Sequence, residues 1–541
     1  MKKILTTAIL CAGLVGFTSC DSFLEETPKS ALTLETYYKT GADIIENVNY
    51  LYRTGAPEKM GSMTGAYRGS SLSVMNMVTG YFTNDFEGQE VDCAYARKLT
   101  RQNFTQSVCN YQTNGVWTDC YKVINIANAV LKYVDGVEME NKAQYKAEAR
   151  FFRALNYFYL VKMFGDVPMM TEPTEDATLI EYPTRTAKAT IYEQIIVPDL
   201  KEAAENLPSA TFSGNGHRVT KYAADMLLAN VYMMLGDHSN AIAPLRDVIN
   251  SGLFSLTANE DLALNSAFNK LRATDDLPEV IYAREFDASI SNTGNLPVHA
   301  FNGDAEAFFT ASSTKNKYSL WVNVYGISNQ YLNVYEGNDL RVQPNQFFQW
   351  EYTHPIDGTK ITFGTANNPV ACNWYWYDET AILETGIGTK DWNFYRYAET
   401  LLSAAECIAQ SGSVTSEAAN YLAQVKARAN TEGKTAADIA SSLQTMGKQA
   451  FIEECWKERL REFPLEMKMW DDCLRTNKFP VISTTNKGQV TFVDLVGATN
   501  GSGATFKATD LVWPIPVEEI QRNPNLTQNE GYSALDRKSV V

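Results

Sequence analysis

The side chains that could carry out catalysis are scattered along this chain. The four histidines lack the i, i+4 spacing with which a helix holds zinc. Asp85 with Glu87 or Glu90 could form a glycosidase acid pair, but among 63 acidic residues such a pair has almost no specificity. No nucleophile elbow, phosphate-binding loop or dinucleotide fingerprint occurs. The sequence therefore offers nothing specific to an enzyme and predicts no cofactor or metal site. Asp85, Glu87, Glu90 and Asp92 could supply oxygen ligands to Ca²⁺, but they lack the EF-hand spacing, and a solvated acidic loop is the favoured interpretation.

The composition is that of a globular protein with a large share of aromatic residues. Of 541 residues, 45% are hydrophobic and 20% charged, so disorder and collagen-like architecture are excluded. The formal net charge of −16 gives no electrostatic basis for binding nucleic acid. Trp, Tyr and Phe make 12% of the chain. These rings are either core residues or platforms for the apolar faces of sugars.

The first twenty residues predict export and lipidation. Two lysines precede an apolar stretch at residues 4–17, which is shorter than the roughly 20 residues of a bilayer span and is typical of a signal peptide. Ser19 then precedes Cys20, as in a lipoprotein signal. We expect residues 1–19 to be removed, Cys20 to be acylated and residues 20–30 to form a tether, with an ordinary secreted protein as the alternative.

The other cysteines do not suggest a disulfide framework. Without Cys11 and Cys20, seven remain, an odd number with no C-x-x-C pair. Cys407 and Cys455 fall within helical patterns, where we expect them to act as small buried hydrophobic residues.

Apolar residues recur at three- and four-residue steps through several long segments, which predicts amphipathic helices. One such segment, residues 142–164, stops at a Gly-Asp-Val-Pro sequence. Two helix pairs are predicted at residues 219–252 and 397–429, with glycine turns at Gly236 and Gly412. Two antiparallel helices joined in this way are the unit of tetratricopeptide-like repeats.

We therefore expect a mostly α protein, with a tetratricopeptide-like helix-pair scaffold and long irregular, loop-rich insertions. Residues 31–270 are predicted to form an N-terminal helical region. Residues 271–541 are predicted to form a C-terminal region that carries a loop-rich insertion at about 290–390. The stretch 55–115 and the tail after residue 480 also lack helical period.

Six short blocks occur in order along the chain. They are Glu148-Ala149-Arg150-Phe151-Phe152-Arg153-Ala154, Phe164-Gly165-Asp166-Val167-Pro168, Leu228-Ala229-Asn230-Val231-Tyr232, Arg396-Tyr397-Ala398-Glu399, Glu458-Arg459-Leu460-Arg461-Glu462, and Trp513-Pro514-Ile515-Pro516 with Asn523-Pro524-Asn525-Leu526. Each is weak alone, but together they cover nearly the whole chain. In this arrangement the sequence resembles the SusD/RagB family of surface glycan-binding lipoproteins.

The resemblance implies a non-catalytic, lipid-anchored protein of the outer membrane that faces the cell exterior. Its implied role is to capture an oligosaccharide and deliver it to a SusC-like TonB-dependent transporter. A peptide-binding cap of the RagB type is the main alternative, and a glycoside hydrolase is a second one. Exposed coplanar rings would favour the glycan, whereas a cleft that pairs with backbone amides would favour the peptide.

Most residues of the matching blocks are expected to be structural. We predict that Glu458, Arg459, Arg461 and Glu462 form an ion-pair lattice between helices rather than a catalytic or anion-binding site. Met467 stands where the family usually has glycine, which leaves the geometry of that turn open. The tryptophans predicted to be structural are Trp117, Trp470 and Trp513.

Family binding sites diverge with the glycan, so the candidates here are chosen by chemistry. A neutral glycan needs exposed rings for its C–H faces and polar side chains for its hydroxyls. Core packing remains the alternative for every ring. Trp374 and Trp376 would share one face of an extended segment. The candidate glycan-binding residues form a first cluster of Tyr81, Asn84, Asp85, Tyr95 and Arg97, a second of Trp321, Asn323, Tyr325 and Tyr331, and a third of Trp350, Tyr352, Trp374 and Trp376.

Overall fold

The computed structural model describes residues 34–54, 76–83, 98–99, 108–175, 182–287, 289, 326–365, 368–385 and 388–532. Helices dominate this part of the chain and the strands are short, which confirms the predicted mostly α class. The helices are α1 Leu34–Tyr37, α2 Gly41–Thr54, α3 Val108–Tyr133, α4 Lys142–Phe164, α5 Lys188–Ile191, α6 Val197–Asn206, α7 Lys221–Met234, α8 His238–Asn250, α9 Ala267–Ala273, α10 Tyr397–Ser411, α11 Ser416–Ala429, α12 Ala436–Leu443, α13 Lys448–Glu462, α14 Met469–Thr476 and α15 Val517–Arg522. The strands are β1 Phe82–Thr83, β2 Val280–Arg284, β3 Gly326–Ile327, β4 Glu351–Thr353, β5 Lys360–Thr362, β6 Gly364–Thr365, β7 Asn368–Pro369, β8 Trp392–Arg396, β9 Lys478–Ile482 and β10 Val490–Asp494.

Both predicted helix pairs are present. In the first pair, the turn between α7 and α8 places Gly236 at φ +73°, a left-handed conformation that glycine adopts without steric cost. Thr220 and Asp237 cap the N-termini of α7 and α8 with their side-chain oxygens. The second pair is α10 with α11, and α8 packs against α10. The two pairs are therefore neighbours in space although nearly 150 residues of chain separate them.

Helix α4 lies between α3 and α6. Its residues from 147 to 164 are almost all buried, so its polar side chains need internal partners. Arg153 donates two hydrogen bonds to Asp199 of α6, at 2.7 and 2.8 Å. The helix ends at Phe164, and Gly165 follows at φ +72°. The predicted end of this helix is confirmed.

The strands form five antiparallel two-stranded ribbons. Two of them join parts of the chain that are far apart in sequence. Ribbon β1–β3 pairs Phe82 with Ile327, and ribbon β2–β8 pairs Arg284 with Trp392. The β2–β8 ribbon therefore closes the base of the long insertion and leads directly into α10.

The predicted ion-pair lattice holds the C-terminal region together. Arg396, which is fully buried, contacts Glu279 at 2.5 Å, Glu462 at 3.1 Å and Glu466 at 2.6 Å. Arg428 of α11 contacts both Glu279 and Glu462, each at 2.5 Å. Burial would raise the pKa of Glu279, but Arg428 and Arg396 hold it at about 2. These ionised groups cross-link β2, β8, α11 and α13.

The remaining residues of the Glu-Arg-Leu-Arg-Glu block extend the same lattice. Glu458 forms ion pairs with Arg341 at 2.8 Å and with Arg461 at 3.1 Å. Arg459 contacts Asp472 of α14 at 2.9 Å and Glu399 of α10 at 3.3 Å. These contacts satisfy buried charges within the scaffold, which confirms the structural interpretation of the block.

Met467 occupies a left-handed position, with φ +58°. The turn keeps the backbone geometry that favours glycine, although a methionine stands there. Met467 is partly buried and packs against the core, so side-chain packing offsets part of the backbone strain.

The C-terminal block is held by buried amide hydrogen bonds. The Nδ2 of Asn529 donates to the Phe164 carbonyl at 2.9 Å and to the Trp513 carbonyl at 2.6 Å. Trp117, Trp470 and Trp513 are all buried, as predicted. This block therefore acts as a clamp on the end of α4.

Cys407 and Cys455 are buried and free, which confirms their predicted role as small core residues. Cys120, Cys372 and Cys473 are also buried and free. No helix in the described part is long and apolar enough to cross a membrane. Among the same residues, no group of three or more His, Cys, Asp or Glu side chains is arranged to hold a metal ion.

Candidate binding site

Ribbon β1–β3 pairs the two points of the chain next to which the first and second predicted clusters lie in sequence. Thr83 pairs with Gly326. Thr83 directly precedes Asn84 in the chain, and Gly326 directly follows Tyr325. The two clusters, more than 200 residues apart in sequence, therefore leave the scaffold from the same ribbon end.

Tyr81 and Tyr331 lie beneath this ribbon and are core residues. Their ring centroids are 6.0 Å apart, and Tyr81 also stacks on Phe479 at 5.8 Å. The Tyr81 hydroxyl donates to the Pro480 carbonyl at 3.0 Å, and the Tyr331 hydroxyl donates to the Leu460 carbonyl at 2.7 Å. Burial raises the pKa of Tyr81 to about 12. Neither ring has a face open to a ligand, because both are needed to pack the ribbon onto α13 and β9.

Eight of the remaining predicted functional residues lie outside the described residues, so their surroundings stay predictions. They are Cys20, Asn84, Asp85, Tyr95, Arg97, Trp321, Asn323 and Tyr325.

The third cluster does assemble, but its rings stack mainly on one another. Trp374 and Tyr377 are parallel with centroids 3.9 Å apart, and Tyr352 meets Trp374 at 6.1 Å. The Arg272 guanidinium from α9 lies 5.6 Å from the Trp374 ring centre and donates to the Tyr377 carbonyl at 2.9 Å. Because these rings are buried, the cluster is an internal aromatic layer in this structure.

The expected extended geometry around Trp374 is wrong. Residues Trp374–Trp376 form a 3-10 helix, so the two tryptophans do not share the face of a strand. Trp376 is buried and meets Trp392 of β8 at 6.5 Å. Trp350 is partly buried and keeps some accessible surface.

A polar cavity of about 580 Å³ lies at the base of the long insertion. It is formed by the end of α2, the end of β2 and the segment before β8. The His217 ring spans two carboxylates there, with Nε2 2.9 Å from Asp276 and Nδ1 3.0 Å from Glu285. Both His217 and Asp276 have positive φ, at 60° and 56°. Each ring nitrogen therefore faces a carboxylate oxygen.

Asp391 lies in the same cavity. Burial and the nearby Asp275 raise the pKa of Asp391 to about 7, although the Phe286 amide, which donates to it at 3.0 Å, opposes this. Sequence reasoning did not select these residues, because a lone histidine and scattered acids carry no spacing signal. The adjacent acidic residues Asp275 and Asp276 were the sequence feature that could have indicated this cavity.

The described fold is a tetratricopeptide-like helical scaffold with short two-stranded ribbons at the base of the long insertion. Two family models match the chain in turn. The model described as SusD family covers residues 316–532, and the model described as starch-binding associating with outer membrane covers residues 22–233. The chain belongs to the SusD/RagB family.

Known relatives match over almost their full lengths. SusD-like protein P2 of Formosa agariphila is 28% identical over 98% of this chain and 100% of its own. Starch-binding protein SusD of Bacteroides thetaiotaomicron is 23% identical over 98% and 99%. Among solved structures, a SusD superfamily protein from Parabacteroides distasonis has a TM-score of 0.72 at 24% identity, covering 90% of this chain and 99% of its own. A laminarin binding SusD-like protein has a TM-score of 0.68 at 20% identity, covering 92% and 100%.

Proposed function

We propose that this protein binds a glycan at the surface of the outer membrane, through the loops that leave ribbon β1–β3. The register of this ribbon carries the proposal. Because Thr83 pairs with Gly326, the segments that contain the first and second clusters both start at the same end of the ribbon. The residues proposed to contact the glycan are Asn84, Asp85, Tyr95, Arg97, Trp321, Asn323 and Tyr325. The names of two similar proteins support this class of ligand, since one is called starch-binding and the other laminarin binding.

The protein is further proposed to be held in the membrane by lipid on Cys20 and to deliver its cargo to a SusC-like TonB-dependent transporter without catalysing a reaction. The family description "associating with outer membrane" supports this location. Co-purification from detergent with a barrel protein is the expected result. A C20A variant should then be recovered in the soluble fraction.

Affinity electrophoresis in gels that contain laminarin or starch tests glycan binding. The mature protein should be retarded by at least one of the two, and W321A and Y325A should each abolish the retardation. L264A is the matched control, because Leu264 is 66% exposed on a scaffold loop away from the ribbon. Retention that survives both loop variants would contradict the assignment of the site.

The two alternative functions, a glycoside hydrolase and a peptide-binding cap, would give different results with the same purified protein. Release of reducing ends from a retained polysaccharide would show a glycoside hydrolase. No retention by any polysaccharide, together with saturable binding of peptides, would favour a cap of the RagB type.

A further inference from the structure

A second concave surface is lined by residues that do not belong to the polar cavity at the base of the insertion. It is a cleft of about 540 Å³ between the first half of α3, the loop after α4 and the C-terminal helix α15. Pockets of roughly 300–1,000 Å³ are typical of small-ligand sites. None of the residues that line it belongs to the three predicted clusters.

The walls of this cleft present aromatic rings. Trp117 and Tyr121, one turn apart on α3, have ring centroids 5.0 Å apart; Trp117 is buried beneath the cleft, and Tyr121 is half-buried at its edge. Tyr182 stands on the facing loop and is 43% exposed, more than any other aromatic side chain in the described part of the chain.

The exposed ring of Tyr182 is carried by a fixed backbone. Its carbonyl accepts a hydrogen bond from Asn525 Nδ2 at 2.7 Å, and the next carbonyl, of Pro183, accepts one from Asn523 Nδ2 at 2.8 Å. The amide hydrogen bonds hold the loop, while the Tyr182 hydroxyl has no partner among the described residues. The backbone that carries the ring is therefore fixed before any ligand binds.

Polar groups with spare hydrogen-bonding capacity surround the rings. Asn125 uses its Oδ1 to accept from the Thr174 amide at 2.7 Å, which leaves its Nδ2 hydrogens without a partner in the described structure. Arg522 and Glu519 on α15 pair with each other at 3.0 Å, so their charges are mutually compensated. The Arg522 side chain is 72% exposed and still has donors to offer.

We infer that this cleft is a second saccharide subsite, which takes one or two rings of a neutral sugar. The C–H face of a sugar ring suits the exposed ring of Tyr182 and the half-buried ring of Tyr121. Its hydroxyls suit Asn125 and the Glu519–Arg522 pair. Lys122 also lines the cleft, and its ammonium lies 5.1 Å from the centre of the Tyr50 ring. Together with the compensated ion pair, the amide and the phenol, it offers hydrogen-bond donors and acceptors to the hydroxyls of a sugar.

The inference rests on the proposed function, since it adds a second contact for the same class of ligand. A long glycan held in the loops would gain a further attachment point on the rigid scaffold. Two weak contacts on one chain bind more tightly than either alone, because the second contact forms at a high effective concentration.

Hydrogen-exchange mass spectrometry of the full mature protein with millimolar maltose or laminaribiose tests the subsite. Peptides that cover residues 117–125 and 517–526 should gain protection with at least one of the two sugars. Y182A should weaken the half-saturation at these peptides at least fivefold, R522A should weaken it severalfold, and Y182F should weaken it less than Y182A. L264A is the matched surface control, and W321A should leave this protection unchanged.

Failure of the second subsite and failure of the proposed function would give different results. Protection confined to peptides of the insertion loops, or protection at 117–125 that Y182A does not change, would overturn the second subsite while the proposed function stands. Absence of protection at both places and of retention in the polysaccharide gels would overturn both. Because Tyr182 and Arg522 are exposed, their variants should keep the wild-type thermal midpoint, so loss of binding cannot be ascribed to unfolding.

Discussion

Replacing Arg396 by methionine should reveal how strongly the buried lattice stabilises the protein. Arg396 is fully buried and neutralises Glu279, Glu462 and Glu466. Methionine keeps much of the volume but removes the arginine that pairs with Glu466, while Glu279 and Glu462 keep only Arg428 and, for Glu462, Arg341. Removing one member of a buried ion-pair network typically costs about 3–5 kcal/mol, because a charge is left uncompensated in the interior. We expect R396M to lose that much free energy of unfolding at pH 7.

The pH dependence of the free energy of unfolding gives a second measure of how much the lattice stabilises the protein. The pKa of Glu279 lies at about 2 in the fold, against an ordinary value of 4.5. At 1.36 kcal/mol per pKa unit, the ionised form contributes about 3 kcal/mol. Because the pKa in the fold is the lower one, this stability is fully present above about pH 4.5 and is lost as the pH falls towards 2. An E279Q variant should lack that part of the acid sensitivity.

Urea unfolding followed by far-UV circular dichroism, at pH 7 and pH 3, measures both effects. The matched control is R246M, which removes the Arg246–Glu417 pair between α8 and α11. That pair is solvent-exposed and should contribute less than about 1 kcal/mol. If R396M and R246M lose similar stability, or if E279Q keeps the wild-type acid sensitivity, the lattice does not stabilise the scaffold as argued.

Three further predictions concern single positions. N529A should lower the free energy of unfolding by about 2–3 kcal/mol in urea titrations, because it leaves the Phe164 and Trp513 carbonyls buried without a donor. D391N should be more stable than the wild type at pH 8, by up to about 4 kcal/mol for a pKa shift from 3.8 to about 7, and equal to it near pH 4. In the wild type the pKa of Asp391 is raised to about 7, so the protein's stability falls as the pH rises from about 4 to 7. Equal stability of D391N and the wild type at pH 8 would contradict this. M467V should lose about 2 kcal/mol and M467G should stay within about 1 kcal/mol of the wild type in thermal unfolding, because a β-branched residue is strained at φ +58° and glycine is not.

The helical scaffold was predictable because its determinants are local. The spacing of apolar residues, the glycines at 165 and 236 and the capping residues act within a few positions of where they stand. The ion-pair role of Arg461 and Glu462 was also predictable, since charged residues on a helix with buried neighbours must find partners. Helix bounds differed from the expected ones by only a few residues.

The roles of individual rings were not predictable, because they depend on contacts between distant segments. Tyr81 is buried since its hydroxyl reaches Pro480 and Ile482, 399 and 401 residues further along the chain. Trp374 lies in a 3-10 helix rather than a strand because its ring stacks on Tyr377. The cleft around Tyr182 escaped notice because its walls come from three separate segments, none of which is rich in aromatic residues.

The β2–β8 ribbon connects the rigid lattice to the region where the insertion begins. At one end Val280 pairs with Arg396, next to Glu279 in the lattice, and at the other end Arg284 pairs with Trp392, beside the polar cavity. The loops therefore start from strands whose opposite ends are fixed by buried ion pairs. The entropy of positioning the loop bases is lost when the protein folds rather than when a ligand binds. Since single contacts to a neutral sugar contribute only about 0.5–1.5 kcal/mol each, a frame of this rigidity lets a few such contacts give measurable affinity.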